Sequence, residues 1–581
     1  MGCSEMVQTK IPGVTDAFHA SGDAAGGAPT AWISRFEPPL SVTQTGPLAG
    51  LRFAVKDNID ARGQPTTAGC PAFAYTPVAH ATVVQNLLHA GASLVGKTNL
   101  DQFACGLNGT RSPYGAVPNA FNAAYVSGGS SAGSAYVVAV GEVDFALGTD
   151  TAGSGRVPAG LNNIVGLKPS KGLISARGVV PAAQSVDCVS IFARTVGVAL
   201  RVLEVARGYD PLDPYSRALA LASQPFPASF RFGVPSTLNF MGDEHAEAAF
   251  RQSVVALTAM GGTPVGVDYA PLAETASLLY ESALVAERYA AVRTFFDAHE
   301  GEVIEPVRTI IASGRRFSAA DLFEAQTRLR ALGQRAAAMW EHIDMLLVPT
   351  APTHYTQAAM QADPVALNRN LGTYTNFVNL LDYAAISVPS AIRPDGLPFG
   401  ITFIGPCGSD WQLAELAQRY HHATGLAQGA TGQPLPPPTP VPGIEPEAMV
   451  RVAVVGAHLS GMPLNVQLIE RGARLVRSTE TAPDYRLYAL ADTTPPKPGL
   501  LRVAEGEGGC IALEVWEMPV ANYGSLVALI PPPLGIGTLK LADGSQVQGF
   551  LCEAQALQGA CDITRLGGWR AYLHYRKTLA S

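Results

Sequence analysis

The sequence predicts an α/β protein with a second, smaller domain that is rich in β-structure. Apolar runs typical of strands alternate with helical patterns over most of the chain. In the stretch 434–446, seven of thirteen residues are proline, and short β-like runs with many glycines follow it. Since such a stretch continues neither a helix nor a central strand, we expect it to be a semi-rigid spacer between two domains.

Hydrophobic periodicity gives the elements of the larger domain in chain order. We predict a strand at 51–55, a helix at 81–90, a strand at 93–95, a helix at 131–140, a strand at 143–147, helices at 246–260 and 319–339, and strands at 345–348 and 401–404. Strands and helices that alternate in this way form a sheet covered by helices.

After the spacer the apolar runs become shorter. We predict strands at 451–455, 475–477, 512–516 and 547–552, which indicates a small β-rich domain. The expected organisation is therefore a catalytic domain at 1–433, a proline-rich linker at 434–447 and a C-terminal domain at 448–581.

Composition excludes several classes of function. The 581 residues carry a formal charge of −7, so the chain has no basic surface typical of binding to nucleic acid or to an anionic membrane. Its eight cysteines show no CxxC spacing, which makes metal clips and disulfide frameworks unexpected. No apolar leader is present in residues 1–31, and no apolar run approaches ~20 residues. We expect a soluble, cytoplasmic protein.

Three residues suggest acyl transfer on an amide. Lys56 ends an apolar run, Ser130 follows two glycines, and Ser154 lies in a glycine-rich turn. A serine hydroxyl needs a base to become a nucleophile, and no histidine lies between His89 and His245. Lysine can take this role where burial lowers its pKa, and an intervening hydroxyl can relay the proton.

The turn that holds the second serine offers a site for an oxyanion. Its successive backbone N–H groups can stabilise a developing negative charge. The candidate donors are the amides of Thr151, Ala152, Gly153 and Ser154.

A competing interpretation centres on Ser131. The run 129–133 matches the nucleophile-elbow pattern G-x-S-x-G. That interpretation also needs an HGGG-type oxyanion segment, and a later acid and histidine. The sequence contains no HGGG-type segment, so we do not assign the nucleophile to Ser131.

The runs 128–133, 148–158 and 166–170 together resemble the amidase signature family over most of residues 40–425. The resemblance implies a mixed central sheet covered by helices. It also implies that Ser154 is the nucleophile, that Ser130 relays the proton and follows a cis peptide bond, and that Lys56 is the base. The amides around Ser154 would form the oxyanion hole.

Two further segments, 278–280 and 285–288, resemble the substrate-recognition region of the allophanate hydrolase subfamily. The resemblance implies that Tyr280 and Arg288 bind a small dicarbonyl substrate, where an arginine suits a carboxylate. Alternatively, Tyr280 is a core aromatic and Arg288 a solvated charge. On one straight helix the two would be separated by ~12 Å and ~80°. Their convergence therefore needs long side chains or a helix that begins after Tyr280.

The segments 452–465 and 537–550 resemble the extra C-terminal domain of the same subfamily. The implied fold is γ-glutamyl-cyclotransferase-like, a small β-barrel with flanking helices. In this subfamily the corresponding histidine assists a second step, which points to His458. The alternative is a hydrogen-bonded structural histidine.

These resemblances imply hydrolysis of allophanate (urea-1-carboxylate) to ammonia and N-carboxycarbamate, whose decarboxylation the C-terminal domain promotes. They imply no cofactor or metal, and the sequence has neither a P-loop nor H-E-x-x-H. We expect a homodimer that is metabolically coupled to a urea carboxylase. Three alternatives remain: a different small-molecule amidase, a component of a tRNA-dependent amidotransferase, and a C-terminal domain that is only structural.

Overall fold

The computed structural model describes residues 28–444, 448–491 and 493–580. They form two compact units, of which the first ends at Ile444. Most of the predicted linker packs on the first unit, because Val441 and Ile444 contact its apolar core and Thr439 accepts a hydrogen bond from Gln418. Residues 445–447 of that linker, and most of the segment predicted to lack a leader, lie outside the described residues.

The first unit is built on one sheet of eleven strands, in the order β1-β3-β2-β4-β6-β5-β10-β11-β9-β7-β8. Parallel and antiparallel pairs both occur, which confirms the predicted mixed sheet. The strands are β1 (Trp32–Leu40), β2 (Arg52–Lys56), β3 (Ser93–Thr98), β4 (Phe145–Asp150), β5 (Val165–Lys168), β6 (Cys188–Ala193), β7 (Phe230–Pro235), β8 (Gly262–Val267), β9 (Met345–Pro349), β10 (Ala384–Ile392) and β11 (Pro398–Gly405).

Helices cover this sheet, and every predicted helix is present. They are α1 (Thr82–His89), α2 (Ala132–Ala139), α3 (Val157–Leu161), α4 (Val196–Ala206), α5 (Glu244–Ala259), α6 (Ala270–Glu281), α7 (Ala286–His299), α8 (Val307–Ser313), α9 (Ala319–Ala337), α10 (Gln357–Ala362), α11 (Ala366–Leu371), α12 (Phe377–Leu380) and α13 (Asp410–Thr424). A capping box between Ser318 and Asp321 starts α9. In the described part of the chain, no helix is long and apolar enough to cross a membrane.

Helix α2 fixes the turn that precedes it. All eight of its residues are buried, and five of them are alanine, glycine or serine. A side chain at Gly133 would overlap the carbonyl oxygen of Ala31, so only glycine allows the helix to pack this closely. The serine pair before α2 is thereby held against the sheet.

The second unit is β-rich, as predicted. Its strands form a five-stranded sheet, β13-β16-β12-β18-β17, and a three-stranded sheet, β15-β14-β19. The elements are β12 (Met449–Val454), α14 (Val466–Ile469), β13 (Arg474–Glu480), β14 (Tyr485–Ala489), β15 (Pro498–Arg502), β16 (Ala512–Pro519), α15 (Val520–Val527), β17 (Leu534–Lys540), β18 (Gln546–Cys552), β19 (Cys561–Asp562) and α16 (Trp569–Ala580). Val452, Leu487, Val515 and Phe550 belong to one apolar core.

Candidate active site

Lys56 lies where two neighbouring parallel strands end. Val55 of β2 pairs with Leu147 of β4, so the residues that follow reach the same edge of the sheet. The fully buried Nζ of Lys56 donates hydrogen bonds to Ser130 Oγ at 2.7 Å and to Thr149 Oγ1 at 2.8 Å. The lysine and one of the two serines selected from the sequence are therefore in direct contact.

Burial lowers the pKa of Lys56 to about 7, although the negative charges of Asp101, Asp187 and Asp150 act to raise it. The cause is the cost of holding an ammonium group away from water. At neutral pH a substantial fraction of this lysine is therefore an uncharged amine, which can accept a proton from Ser130.

The backbone aims Ser130 at the lysine. The Gly129–Ser130 peptide bond is cis, which matches what the family resemblance implies. A side chain at Gly129 would overlap the carboxylate of Asp101, which accepts hydrogen bonds from the amides of Asn108 and Gly109 at 3.2 and 3.1 Å. The Asp101 amide in turn donates to the Ser130 carbonyl at 3.0 Å. Asp101 thus organises this turn, and the sequence analysis did not single it out.

Ser154 lies in the turn that follows β4. Its Oγ is 3.4 Å from the carbonyl oxygen of Gly106, and the residue is 3% exposed. In the described structure no hydrogen bond joins Ser154 to Ser130, so the contact needed for a proton relay between them is not formed.

Asp150 and Arg156 hold the turn in shape. Both side chains are fully buried, and they form a bidentate ion pair with distances of 2.9 and 3.0 Å. Burial acts to raise the pKa of Asp150, but Arg156, together with Lys168 and the Gly153 amide, holds the pKa below its ordinary value. The carboxylate also accepts hydrogen bonds from the amides of Gly153 and Gly155. A closed polar network thus fixes the peptides around Ser154.

Three of the four predicted oxyanion donors remain available. The amide of Gly153 donates to Asp150 at 2.8 Å. Within the described residues, the amides of Thr151, Ala152 and Ser154 have no hydrogen-bond acceptor. The turn can therefore offer three N–H groups to a developing oxyanion.

Ser131 is engaged elsewhere. It is fully buried, and its hydroxyl lies 3.2 Å from the Thr149 carbonyl oxygen and 3.4 Å from the Thr149 amide. A hydroxyl held by the backbone on both sides is a poor nucleophile, which agrees with the choice not to assign Ser131 as the nucleophile.

Tyr280 and Arg288 meet because the chain bends between them. Helix α6 ends at Glu281, Ser282 has an extended backbone, and α7 begins at Ala286. Arg288 Nη2 donates to the Tyr280 hydroxyl at 3.2 Å, and its guanidinium lies 5.1 Å from the centre of the ring. The single straight helix considered above, with its ~12 Å separation, is therefore not what the chain forms.

The Arg288 side chain has unused donors. The residue is 4% exposed, and its Nε and Nη1 have no hydrogen-bond partner in the described structure. Unpaired buried donors on a guanidinium are costly unless a ligand satisfies them. Their fork geometry suits a carboxylate.

Asp187 and an apolar cluster connect this pair to the catalytic turn. Asp187 accepts a hydrogen bond from Thr151 Oγ1 at 2.5 Å, and Tyr280 packs on a cluster that includes Ala152. Burial raises the pKa of Asp187 to about 6, although the nearby charge of Arg288 acts to lower it. The substrate-binding candidates therefore adjoin the predicted oxyanion hole.

His458 lies in the second unit and lines a cavity of about 190 Å³. Its Nε2 is 3.0 Å from Gln467 Oε1, and its ring stacks on Phe550 with centroids 5.0 Å apart. Burial, together with the charge of Lys497, holds the pKa of His458 below its ordinary value. The histidine is hydrogen-bonded, as the structural alternative expects, and it also borders a cavity.

Five residues at these sites were not predicted from the sequence: Thr149, Asp101, Asp187, Gln467 and Lys497. Thr149 and Asp101 were accessible in principle, because each lies at or just after the end of a strand beside β2. Asp187 and Lys497 are brought to their sites by contacts distant in sequence, and Gln467 lies nine residues from His458 with no local pattern to mark it.

Two family models match this chain, one over each unit. The family model described as Amidase matches residues 33–414, and the model described as Allophanate hydrolase C-terminal domain matches residues 450–574. The solved structure of Kluyveromyces lactis allophanate hydrolase is 43% identical, with a TM-score of 0.74, and the match covers 94% of this chain and 93% of that chain.

Two kinds of curated relative are similar over different lengths. The urea amidolyase of Saccharomyces cerevisiae is 44% identical over 549 residues, which are 92% of this chain but 30% of that protein. A glutamyl-tRNA(Gln) amidotransferase subunit from Symbiobacterium thermophilum is 36% identical over 416 residues, which are 66% of this chain and 84% of that protein. This chain thus spans less than a third of the urea amidolyase.

Proposed function

This chain belongs to the amidase family and is an amidohydrolase, and we propose that its substrate is allophanate. The observation that carries the proposal is Arg288, whose buried guanidinium has two unpaired donor nitrogens next to Tyr280. Allophanate combines a carboxylate with a terminal amide. Its carboxylate would take the free donors of Arg288, and its amide would then face the turn of Ser154.

The first step is attack on the terminal amide carbonyl. Neutral Lys56 takes the proton of Ser130, Ser130 takes that of Ser154, and Ser154 Oγ bonds to the carbonyl carbon. The amides of Thr151, Ala152 and Ser154 stabilise the oxyanion. The short contact between Lys56 and Ser130 supports this order.

Collapse of the tetrahedral intermediate breaks the bond between carbon and nitrogen. Ammonia leaves with a proton that returns along the same relay. Water then attacks the acyl-enzyme, and Ser154 regains its proton. The product of this half is N-carboxycarbamate.

The second step takes place in the C-terminal unit. Decarboxylation of N-carboxycarbamate breaks a bond between nitrogen and carbon, and the nitrogen keeps the electron pair and takes up a proton. We assign His458 to assist this proton transfer, because it borders a cavity of the size of a small molecule. The carbamate that remains takes up a proton and breaks down to ammonia and a second carbon dioxide, so the net products are two molecules of ammonia and two of carbon dioxide.

The expected setting of the enzyme extends the proposal. Similarity to urea amidolyases over 30% of their length supports metabolic coupling to a urea carboxylase. A homodimer and a cytoplasmic location remain predictions. Gel filtration with light scattering measures the oligomeric state.

The test uses the full chain and allophanate labelled with ¹³C. We expect ammonia release from allophanate and much slower release from acetamide, propionamide and glutamine, with label recovered as carbon dioxide. Turnover of a simple amide without turnover of allophanate would overturn the choice of substrate. Glutamine as the preferred substrate would instead favour the amidotransferase class.

A further inference from the structure

We propose that the cavity of the second unit is an anion site in which Lys497 binds a carboxylate of a small dicarboxylate. The proposal deepens the proposed function, and rests on it for the identity of the natural ligand, N-carboxycarbamate. Lys497, His458, Gln467 and Thr494 supply polar groups to a cavity otherwise lined mainly by apolar side chains and backbone.

The charges of the cavity favour an anion. Among the described residues that line the cavity, Lys497 carries an ammonium group, and none is aspartate or glutamate. Its Nζ makes no hydrogen bond or ion pair within the described structure, while its backbone amide is fixed by Thr493 Oγ1 at 2.9 Å. A half-buried cation without a counter-ion attracts an anionic ligand more strongly than one in bulk water.

The walls strengthen this attraction and limit the size of the ligand. Phe550 stacks on the imidazole of His458, and Leu526 and Leu529 also line the cavity, at and just after the end of α15. Apolar walls lower the local dielectric constant, which increases the pull of Lys497 on a carboxylate. The cavity volume of about 190 Å³ is below the ~300–1,000 Å³ typical of drug-sized pockets and suits a small ligand.

The placement of the groups matches a molecule with two carboxylates. Lys497 lies close enough to His458 for its charge to act on the imidazole. If one carboxylate of N-carboxycarbamate binds Lys497, the nitrogen and the second carboxylate lie on the side of His458 and Gln467. Lys497 therefore anchors the carboxylate that remains, while His458 faces the bond that breaks.

The experiment uses malonate, in which a methylene group replaces the nitrogen of N-carboxycarbamate. The full chain is labelled with ¹⁵N-histidine, and the His458 resonances are identified by their loss in His458→Asn. Reading only these resonances separates the cavity from Arg288, which also suits a carboxylate. We expect malonate to shift the His458 signals in a saturable way.

Substitutions decide the role of the lysine. We expect Lys497→Met to weaken malonate binding at least about tenfold, and Lys497→Arg to keep it within about threefold. Lys540→Met is the matched control, because Lys540 is exposed on β17 and does not line the cavity. Unchanged resonances of His574, which lies on α16 of the same unit and does not line the cavity, show that the second unit of each variant is folded.

Malonate binding of equal strength in wild type and Lys497→Met would overturn the proposal, as would a wild-type chain whose His458 signals do not respond. Failure of the proposed function has a different signature. A chain that releases no ammonia from allophanate, but in which malonate shifts His458 in a Lys497-dependent way, retains the anion site and loses the substrate assignment.

Discussion

The two proposed sites differ in how their titratable groups are held. Lys56 in the first unit is fully buried, and its ammonium contacts Ser130 and Thr149 within 2.8 Å. In the second unit His458 and Lys497 are half-buried and border an open cavity. In the first site, desolvation and a closed hydrogen-bond network control the protonation of the base. In the second site, charge controls the binding of the ligand.

This difference predicts unequal sensitivity to substitution. A buried network loses several interactions at once when one member is removed, because the groups that remain are left unpaired. A half-buried charge keeps contact with water, so its removal leaves fewer unpaired groups. We therefore expect large effects in the first unit and smaller ones in the second.

The largest effect is expected for Ser154→Ala. Without the nucleophile the acyl-enzyme cannot form, and ammonia release should fall by at least about 10⁴-fold. Ammonia assays at saturating allophanate measure this loss. Ser131→Ala is the control, since its hydroxyl faces Thr149, and it should retain most of the turnover. Equal loss in both variants would contradict the assignment of Ser154.

The next effect concerns Arg288→Met. Loss of the charge-assisted bonds to the substrate carboxylate should lower kcat/KM for allophanate by about 10³-fold. Steady-state kinetics give kcat/KM. The kcat/KM of Arg288→Lys should lie between those of the wild type and Arg288→Met, because lysine keeps the charge but not the two parallel donors of the guanidinium. Arg293→Met on the same helix is the matched control, as that side chain is 70% exposed. A substrate bound without Arg288 would leave kcat/KM unchanged.

A smaller effect is expected for His458→Gln. Decarboxylation should slow by about 10²-fold, while the first ammonia is released at the normal rate. With ¹³C-allophanate, labelled N-carboxycarbamate should accumulate. If His458→Gln releases carbon dioxide at the wild-type rate, the second unit has only a structural role. The molecule would then contain one active site and not two.

The smallest effect is a pH dependence that distinguishes the two sites. The pKa of Lys56 is about 7, and only its neutral form accepts a proton, so kcat/KM for ammonia release should fall about tenfold per pH unit below that value. Because burial lowers the pKa of His458 below its ordinary value, acid should slow the first step before it protonates His458. A profile of ammonia release that stays flat well below pH 7 would show that Lys56 is not the base.

Much of the fold followed from local pattern. The strand predicted at 51–55 is β2, shifted by one residue, and the helix predicted at 131–140 is α2, one residue shorter at each end. Long apolar runs are buried wherever they lie, so periodicity identifies them reliably. Helices α6 and α7 were not predicted, because their boundary depends on the extended backbone of Ser282.

Some features of the candidate site were likewise predictable from local sequence, and others were not. Lys56, Ser130 and Ser154 lie in short stretches of recognisable sequence, and the resemblance to a family assigned each a role. The engagement of the Gly153 amide was not predictable, because it donates to Asp150 only in the folded turn. The sequence also did not predict that two donor nitrogens of Arg288 are unpaired.

The sequence by itself determined the α/β and β-rich units and the three stretches that carry the candidate catalytic groups. Only the tertiary structure decided the pKa of Lys56, the convergence of Tyr280 with Arg288, and the cavity that Lys497 and His458 both line. The physical reason is that desolvation and Coulomb interactions act through space. They depend on which atoms surround a group, and those atoms come from segments far apart in the chain.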